Sequence, residues 1–183
     1  MGLDFTADWK GFDLRVFFQG VMKRDVWMNS NMFWGATQDQ WWSAGLKEHA
    51  DYFRDAPTGL TGEIPANLDA YYPRPFFGWG SIGAGKNHKQ QSRYLQDASY
   101  IRLKNLQVGY TLPASFTEKL SLSNCRVYVS GENLWTGTSI SKLFDPETVD
   151  GGDTNSNANQ FIRSGGNAYP LSRTWSFGLS VTL

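Results

Sequence analysis

The fold of this chain is decided by its last thirteen residues, Leu171-Ser-Arg-Thr-Trp-Ser-Phe-Gly-Leu-Ser-Val-Thr-Leu183. Large apolar side chains alternate there with small or polar ones, and the apolar set is Trp175, Phe177, Leu179, Val181 and Leu183. Successive side chains of a β-strand point to opposite faces, so a period of two predicts a strand with one apolar face. Such a strand fits a membrane-spanning wall between lipid and water, and it also fits one layer of a soluble β-sandwich. Its length is close to the roughly 9 to 11 residues that cross a bilayer at a tilt, which favours the membrane-spanning wall.

The charge balance, hydropathy and aromatic content of the chain exclude some classes of protein and favour others. The 17 basic and 17 acidic residues cancel, which removes the electrostatic argument for a nucleic-acid partner. A mean hydropathy of -0.43 and the lack of a long apolar run exclude a transmembrane helix, whereas alternating strands remain possible. Aromatic residues make up 15% of the 183 residues, including eight Trp, which is typical of membrane-interface belts and of sugar-binding surfaces.

Covalent and targeting features are few. Cys125 is the only cysteine, so the chain cannot form an internal disulfide or a thiolate metal cluster. The N-terminal residues lack the basic and apolar regions of a signal peptide. For an exported protein this indicates a fragment, and we expect the export signal to lie upstream.

Alternation predicts five strands, near residues 2–9, 12–22, 98–112, 124–135 and 171–183. Lys10-Gly11 predicts a tight turn between the first two strands. The apolar period slips by one step near Lys104-Asn105, which predicts a β-bulge. Pro113 ends the third strand, and the short connection 114–123 has room for one helical turn. Residues 24–97 and 136–170 lack strand periodicity and are predicted to be long loops, with a short helix possible around 38–53.

The connections alternate between short and long along the whole chain. Outer-membrane barrels have short periplasmic turns and long external loops, so this order favours a barrel over a sandwich. The same order predicts that both short connections and the C-terminus lie on the periplasmic side.

Motifs for catalysis or metal binding are weak. Gly80-Ser-Ile-Gly-Ala-Gly-Lys-Asn87 resembles a phosphate-binding loop, but Asn87 stands where Ser or Thr would bind magnesium. Asp150-Gly-Gly-Asp-Thr-Asn155 lacks the spacing and the final Glu of a calcium-binding loop. His49 and His88 stand alone and are predicted to be surface residues. We therefore expect no catalytic, cofactor or metal site, and a protein that is not an enzyme.

The first long loop is rich in aromatic residues. Aromatic side chains in a loop either pack on one another or present flat faces to a sugar or a protein partner. The residues in question are Trp34, Trp41, Trp42, Tyr52, Phe53, Tyr71, Tyr72, Phe76, Phe77 and Trp79.

Several ordered blocks resemble one known family. They are Arg93-Tyr-Leu-Gln-Asp-Ala-Ser-Tyr-Ile-Arg-Leu-Lys-Asn-Leu-Gln-Val-Gly-Tyr-Thr-Leu-Pro113, Arg126-Val-Tyr-Val-Ser-Gly-Glu-Asn-Leu134, Phe144-Asp-Pro-Glu147 and Tyr169-Pro-Leu-Ser-Arg-Thr174. Asp13-Leu-Arg-Val-Phe-Phe-Gln-Gly20 and Tyr72-Pro-Arg74 fit the same alignment. Over essentially its whole length, the chain resembles the C-terminal end of SusC/RagA-type TonB-dependent outer-membrane transporters. It departs from the family in ending on Leu183 instead of an aromatic residue that aids insertion.

This resemblance implies an all-β fold, namely the last five or so strands of an antiparallel transmembrane barrel of about 22 strands with two long extracellular loops. It implies a part of an importer of glycans, peptides or other nutrient oligomers in the cell outer membrane. The plug and the segment that contacts TonB are expected in a missing N-terminal part. The implied partners are a SusD-like surface lipoprotein, TonB, the barrel-assembly machinery, outer-membrane lipid and an oligosaccharide or peptide substrate.

Two further expectations follow. Trp41, Trp42 and Trp79 are expected on the external side, in contact with the ligand or the SusD-like lid protein. The alternative function is that of a secreted carbohydrate-binding β-sandwich, in which the same alternation would cover a soluble core and the loop aromatics would stack on sugar.

Overall fold

The computed structural model of the chain describes residues 1–28, 31–35, 45–75, 90–149 and 168–183. The chain forms two compact units that alternate along the sequence. The sheet unit contains Met1–Arg24, Asp97–Ile140 and Pro170–Leu183, and the loop unit contains Asp25–Gln96 and Ser141–Tyr169. The loop unit is thus built from two long connections between strands of the sheet unit.

The sheet unit is one antiparallel sheet of five strands. In chain order they are β1 (Gly2–Trp9), β2 (Phe12–Val21), β5 (Tyr100–Thr111), β6 (Asn124–Thr138) and β7 (Thr174–Thr182). The intervening strands β3 (Asp25–Trp27) and β4 (Leu95–Asp97) form a separate two-stranded sheet. Each strand pairs with the next in this series, so the sheet order is β1-β2-β5-β6-β7. The antiparallel all-β fold expected from the alternation and the resemblance is confirmed.

The strand limits differ slightly from those predicted from the sequence. β6 continues to Thr138 because its last residues still pair with the start of β5: Tyr100 pairs with Thr138 and Arg102 with Thr136. The Arg102 Nε also donates a hydrogen bond to Thr136 Oγ1 at 2.8 Å. β7 begins only at Thr174, where its pairing with Glu132 starts.

Two short connections close one end of the sheet. Lys10 and Gly11 join β1 to β2 with φ of 48° and 86°, and two positive φ values are typical of the type I′ turn that fits strand twist. Between β5 and β6, the helical turn α1 (Ala114–Thr117) follows Pro113, and a 3₁₀ turn (Glu118–Leu120) completes the connection. The predicted tight turn and the predicted helical turn are both confirmed.

The predicted bulge is also confirmed. On β2, Phe17 pairs with Asn105 and Phe18 with Leu103, so Lys104 is an extra residue in β5. On the other side, the pairing of β5 with β6 shifts at the same place. The extra residue restores the apolar face after the slip, as a bulge does.

The long loops predicted from the sequence contain several short elements. They comprise β3 paired with β4, the helical turn Asn31–Trp34, and 3₁₀ turns at Lys47–Ala50 and Ser92–Tyr94. Of the helix considered around 38–53, the described part shows only the 3₁₀ turn Lys47–Ala50. Where the structure is described, no helix has the length and apolar character to span a membrane.

Candidate functional surfaces

One face of the sheet is apolar across all five strands. Three successive cross-strand rows contain Trp9, Phe12, Tyr110, Val127 and Leu179; then Ala7, Leu14, Val108, Val129 and Phe177; then Phe5, Val16, Leu106, Gly131 and Trp175. The register between neighbouring strands therefore places their apolar positions on the same side. We call this surface the apolar face.

Much of the apolar face is open to its surroundings. Phe177 is 83% exposed, Trp9 68%, Leu179 65% and Phe5 55%. A sandwich would bury such side chains against a second sheet about 10 Å away. The described residues contain no second sheet of that size, since the only other one has two strands. The β-sandwich alternative is therefore not favoured.

The opposite face, which we call the polar face, carries small and polar side chains. Its rows contain Asp8, Asp13, Gly109, Tyr128 and Gly178; then Thr6, Arg15, Gln107, Ser130 and Ser176; then Asp4, Phe17, Asn105, Glu132 and Thr174. An apolar outer side and a polar inner side are what a transmembrane barrel strand requires.

Two ion pairs join neighbouring or nearby strands on the polar face. Arg15 donates from Nε and Nη2 to the Asp4 carboxylate at 3.2 and 2.7 Å. Arg126 on β6 reaches over β5 to Asp13 on β2, with Nε 2.9 Å from Oδ1. Gly109 lies between them, and a Cβ there would overlap both the Asp13 carboxylate and the Arg126 guanidinium. The absence of a side chain at this position lets an ion pair bridge three strands.

The loop unit has an aromatic core. Phe33 and Trp34 are fully buried, with ring centroids 5.0 Å apart in an edge-to-face arrangement. Trp34 lies 4.8 Å from Tyr94, and Phe33 lies 5.7 Å from Tyr72. Phe33 also contacts Phe144, at 6.2 Å between centroids, so both long connections contribute to this core.

His49 belongs to this core, and the prediction of a surface histidine is wrong. The residue is only 4% exposed and its ring lies edge-on to Tyr72 at 5.0 Å. The Leu46 N–H donates to Nδ1 at 2.9 Å, which leaves Nε2 to donate to the Phe33 carbonyl at 3.0 Å. Both ring nitrogens are thus used to hold the chain together, and Gly35 provides the space, because a Cβ there would overlap the imidazole.

The tyrosines of the core are held neutral. Desolvation by burial raises the pKa of Tyr72 strongly, with the neighbouring Tyr71 adding to the effect. Burial also raises the pKa of Tyr71, whose hydroxyl accepts a hydrogen bond from Gln96 Nε2 at 2.7 Å. The Tyr71 hydroxyl thus acts as a structural hydrogen-bonding group, and neither tyrosine is an acid near neutral pH.

A small arm extends from the loop unit between Arg54 and Asn67. Two antiparallel bridges, Arg54 with Asn67 and Thr58 with Ile64, hold its sides together. Arg54 also donates to the carbonyls of Pro65 and Ala50, at 2.9 and 3.1 Å. At the tip, Glu63 accepts hydrogen bonds from the Thr61 amide and hydroxyl at 2.9 and 2.8 Å.

The residues predicted to form sites divide into two groups. Trp34, Tyr71 and Tyr72 pack in the core of the loop unit, as expected for self-packing. Trp41, Trp42 and Trp79 lie outside the described residues, as do Phe76, Phe77, His88 and both loop motifs, Gly80–Asn87 and Asp150–Asn155. Within the described ranges, no cluster of His, Cys, Asp and Glu is arranged to hold a metal ion.

Comparison with known proteins extends these observations. No family model matches the chain. Over 181 residues it is 33% identical to "TonB-dependent receptor P3" of Formosa agariphila, and over 188 residues it is 29% identical to "TonB-dependent receptor P26" of the same organism. Each alignment covers 99% of this chain and 16% of the relative, so the chain spans a small part of the length of these receptors.

Solved structures show the same fold. The RagAB peptide transporter matches 98% of this chain and 17% of its own, with a TM-score of 0.59 and 24% identity. The RagAB peptide importer in its open-open state matches 100% of this chain and 17% of its own, with a TM-score of 0.60 and 24% identity. Over its whole length the chain is therefore similar in sequence to a segment of TonB-dependent receptors, and its sheet has the fold of a segment of the RagAB transporter, as the resemblance to the SusC/RagA type implies.

Proposed function

We propose that this segment forms part of the barrel wall of an outer-membrane, TonB-dependent importer of nutrient oligomers. The single observation that carries the proposal is the two-sided sheet, with an apolar face that is exposed across five strands and a polar face behind it. The apolar face contacts lipid and includes Trp175, Phe177, Leu179, Val181 and Leu183, while the polar face lines the lumen. The remaining part of the receptor supplies the plug and the segment that binds TonB.

The orientation follows from the connections. Both short connections lie at one end of the sheet, since β1-β2 and β5-β6 are neighbouring antiparallel pairs. In outer-membrane barrels the short turns lie in the periplasm, so the loop unit faces outside. There it contacts the SusD-like surface lipoprotein and the substrate, with Trp41, Trp42 and Trp79 among the contacting residues. The barrel-assembly machinery inserts the receptor.

The substrate class is an oligosaccharide or a peptide. Aromatic side chains such as those proposed as contacts, Trp41, Trp42 and Trp79, suit stacking on sugar rings, whereas RagAB, which shares this fold, is named a peptide transporter. Uptake assays in cells that carry the receptor as their single importer of this class would compare labelled oligosaccharides with labelled peptides of similar mass. Uptake of one class that requires both the receptor and TonB supports the proposal, and no energy-dependent uptake of either contradicts it.

The membrane orientation has a direct test with a matched pair of positions. In a cysteine-free full-length receptor in lipid, spin labels would be attached at Phe177→Cys and at the adjacent Ser176→Cys. Because neighbouring residues of a strand point to opposite faces, we expect the label at 177 to collide mainly with oxygen dissolved in lipid. The label at 176 should collide mainly with a water-soluble nickel complex. Equal water accessibility at both positions would contradict the proposed lipid contact.

The loop assignment has a separate test. Photo-crosslinking residues placed at Trp41, Trp42 and Trp79 of the full-length receptor should capture the lipoprotein lid or the substrate. Crosslinks that reach neither would remove these three residues from the binding surface and leave the barrel assignment intact.

A further inference from the structure

The apolar face contains a groove near the Lys10–Gly11 turn. Its volume is about 320 Å³, and its lining includes Phe12, Tyr110, Val108, Val127, Val129 and Phe177. The three valines are short and lie on the central strands, whereas the aromatic side chains come from β2, the end of β5 and β7. The groove is therefore a valine-lined depression between aromatic side chains, and it is continuous with the rest of the apolar face.

A cation is held on the same side of the sheet at the turn. Lys10 Nζ lies 5.1 Å from the centre of the Trp9 ring. Trp9 pairs with Phe12 in the first apolar row, and the Phe12 ring lies 4.5 Å from the Tyr110 ring that lines the groove. The ammonium group is thus placed beside the end of an apolar groove, at the level where the strands turn.

We propose that this groove binds one acyl chain of an anionic phospholipid, whose phosphate is contacted by Lys10. The proposal rests on the lipid contact proposed above for the apolar face. Two observations commit it to this occupant: the groove continues a hydrocarbon-contacting surface, and the positive charge at its end complements a phosphate. In the orientation given above, the turn lies on the periplasmic side, so the lipid belongs to the periplasmic leaflet.

The cross-strand register explains why the groove lies here. Val108 pairs with Val129, and Val129 pairs with Phe177 in the same row. In the next row towards the turn, Tyr110 pairs with Val127. A valine beside an aromatic ring leaves a depression about as wide as an acyl chain. An acyl chain that lies in it makes van der Waals contacts on several sides.

The test uses the full-length receptor in nanodiscs of zwitterionic phosphatidylcholine with a small fraction of phosphatidylglycerol that carries a diazirine in its acyl chain. After irradiation, mass spectrometry would map the adducts along the receptor. We expect adducts concentrated on Val108–Tyr110 and Val127–Val129, above the level on the exposed Phe5 of the same face. Val129→Trp fills the groove and should reduce these adducts to the level at Phe5.

Val181→Trp is the matched control, because Val181 lies on the same face and does not line the groove. It should leave the adduct pattern unchanged. Lys10→Gln tests the headgroup separately, and it should reduce the preference for the anionic over a zwitterionic diazirine lipid about fivefold. Lys119→Gln, in the other connection at this end of the sheet, should leave the preference unchanged. If Val129→Trp fails to fold, the comparison of Lys10→Gln with Lys119→Gln tests the proposal, since only Lys10→Gln should reduce the preference for the anionic lipid.

Three outcomes would overturn the proposal. Adducts spread evenly over the apolar face would show general lipid contact without a site, and the barrel assignment would stand. Adducts on the rest of the apolar face but not on the groove peptides would show that another occupant, such as a protein, covers the groove. Adducts missing from every peptide of the apolar face would contradict the proposed lipid contact itself, so failure of the site and failure of the function are distinguishable.

Discussion

At Gly178 the polar face has no room for a side chain. A Cβ there would overlap the ring and hydroxyl of Tyr128, which lies directly across on β6. The Arg126 guanidinium lies 5.0 Å from the same ring. We expect Gly178→Ala to displace Tyr128 and to lower the free energy of unfolding of the receptor by about 1–3 kcal/mol, the usual cost of overpacking. Urea unfolding in lipid vesicles measures this change.

Ser176→Ala serves as the control for Gly178→Ala. Ser176 lies on the same face of the same strand, one row away, and pairs with another small residue, Ser130. This variant should unfold at nearly the same urea concentration as the unmodified receptor. An equal loss in both variants would show that β7 tolerates no change, and the argument from the Tyr128 ring would fail.

His49 is a residue whose role is visible only in three dimensions. We expect His49→Phe to keep an aromatic ring at this position but to remove the hydrogen bonds that the imidazole makes with the Phe33 carbonyl and the Leu46 amide. The loss of two such hydrogen bonds costs about 1–3 kcal/mol. Hydrogen exchange should accelerate in the loop unit and not in the sheet, whereas Lys47→Ala, at an exposed position of the same 3₁₀ turn, should change neither. Uniform acceleration over both units would contradict this assignment.

Among the elements, β5 accommodates one extra residue in its bulge. Phe17 and Phe18 are successive residues of β2, whereas their partners Asn105 and Leu103 are separated by Lys104. Deleting Lys104 would make Leu103 and Asn105 successive as well, so the side chains on both sides of the deletion would keep their faces. We expect the deletion variant to reach outer-membrane fractions at close to the normal level, measured as the heat-modifiable band on gels.

Lys104→Ala is the matched variant for this deletion, because it keeps the extra residue and changes only the side chain. It should also assemble at close to the normal level. Loss of assembly in the deletion variant alone would contradict this expectation, because it would show that the bulge is needed for more than keeping each side chain on its face.

The arm between Arg54 and Asn67 is an element with a pH dependence. Hydrogen bonds from its own backbone amide, then from the Thr61 hydroxyl and amide, hold the pKa of Glu63 below its ordinary value. A lowered pKa in the folded arm means that the carboxylate stabilises the arm at neutral pH, and that this contribution is lost as pH falls through the folded pKa. We therefore expect exchange at the Thr61 amide, corrected for its intrinsic rate, to accelerate as pH falls through the lowered pKa of Glu63. In Glu63→Gln this acceleration should disappear, and an identical acidic acceleration in both proteins would contradict the mechanism.

The elements also show what the sequence can predict. The two faces of each strand in the sheet lie in different environments. Apolar and polar residues, such as Phe177 and Ser176, therefore alternate along the strand, and this alternation is visible in the sequence. Even the extra residue Lys104 is visible as a slip in that period. The loop unit has no such period, because its core forms from distant residues: Phe33, His49 and Phe144 meet only when the chain folds. Aromatic density hinted at self-packing there, but nothing local marked His49 as buried.

For the whole molecule, the unpaired edges of the sheet determine whether the isolated chain aggregates. β1 and β7 each pair on one side only within the described structure, and both are exposed along almost their whole length. Unpaired edges and an exposed apolar face promote association in water. We expect the isolated 183-residue chain to aggregate without detergent, as measured by light scattering, whereas the full-length receptor in detergent remains monodisperse. A monomeric, soluble isolated chain would contradict the barrel assignment.

The contact between Phe33 and Phe144 has a consequence for any transfer of the loop unit. Phe33 belongs to the connection after β2 and Phe144 to the connection after β6, so the two long connections share one aromatic core. Replacing one of these connections alone would leave half of that core without its matching side chains. Transfer of the loop unit to a related sheet would therefore require that both connections be moved as a pair.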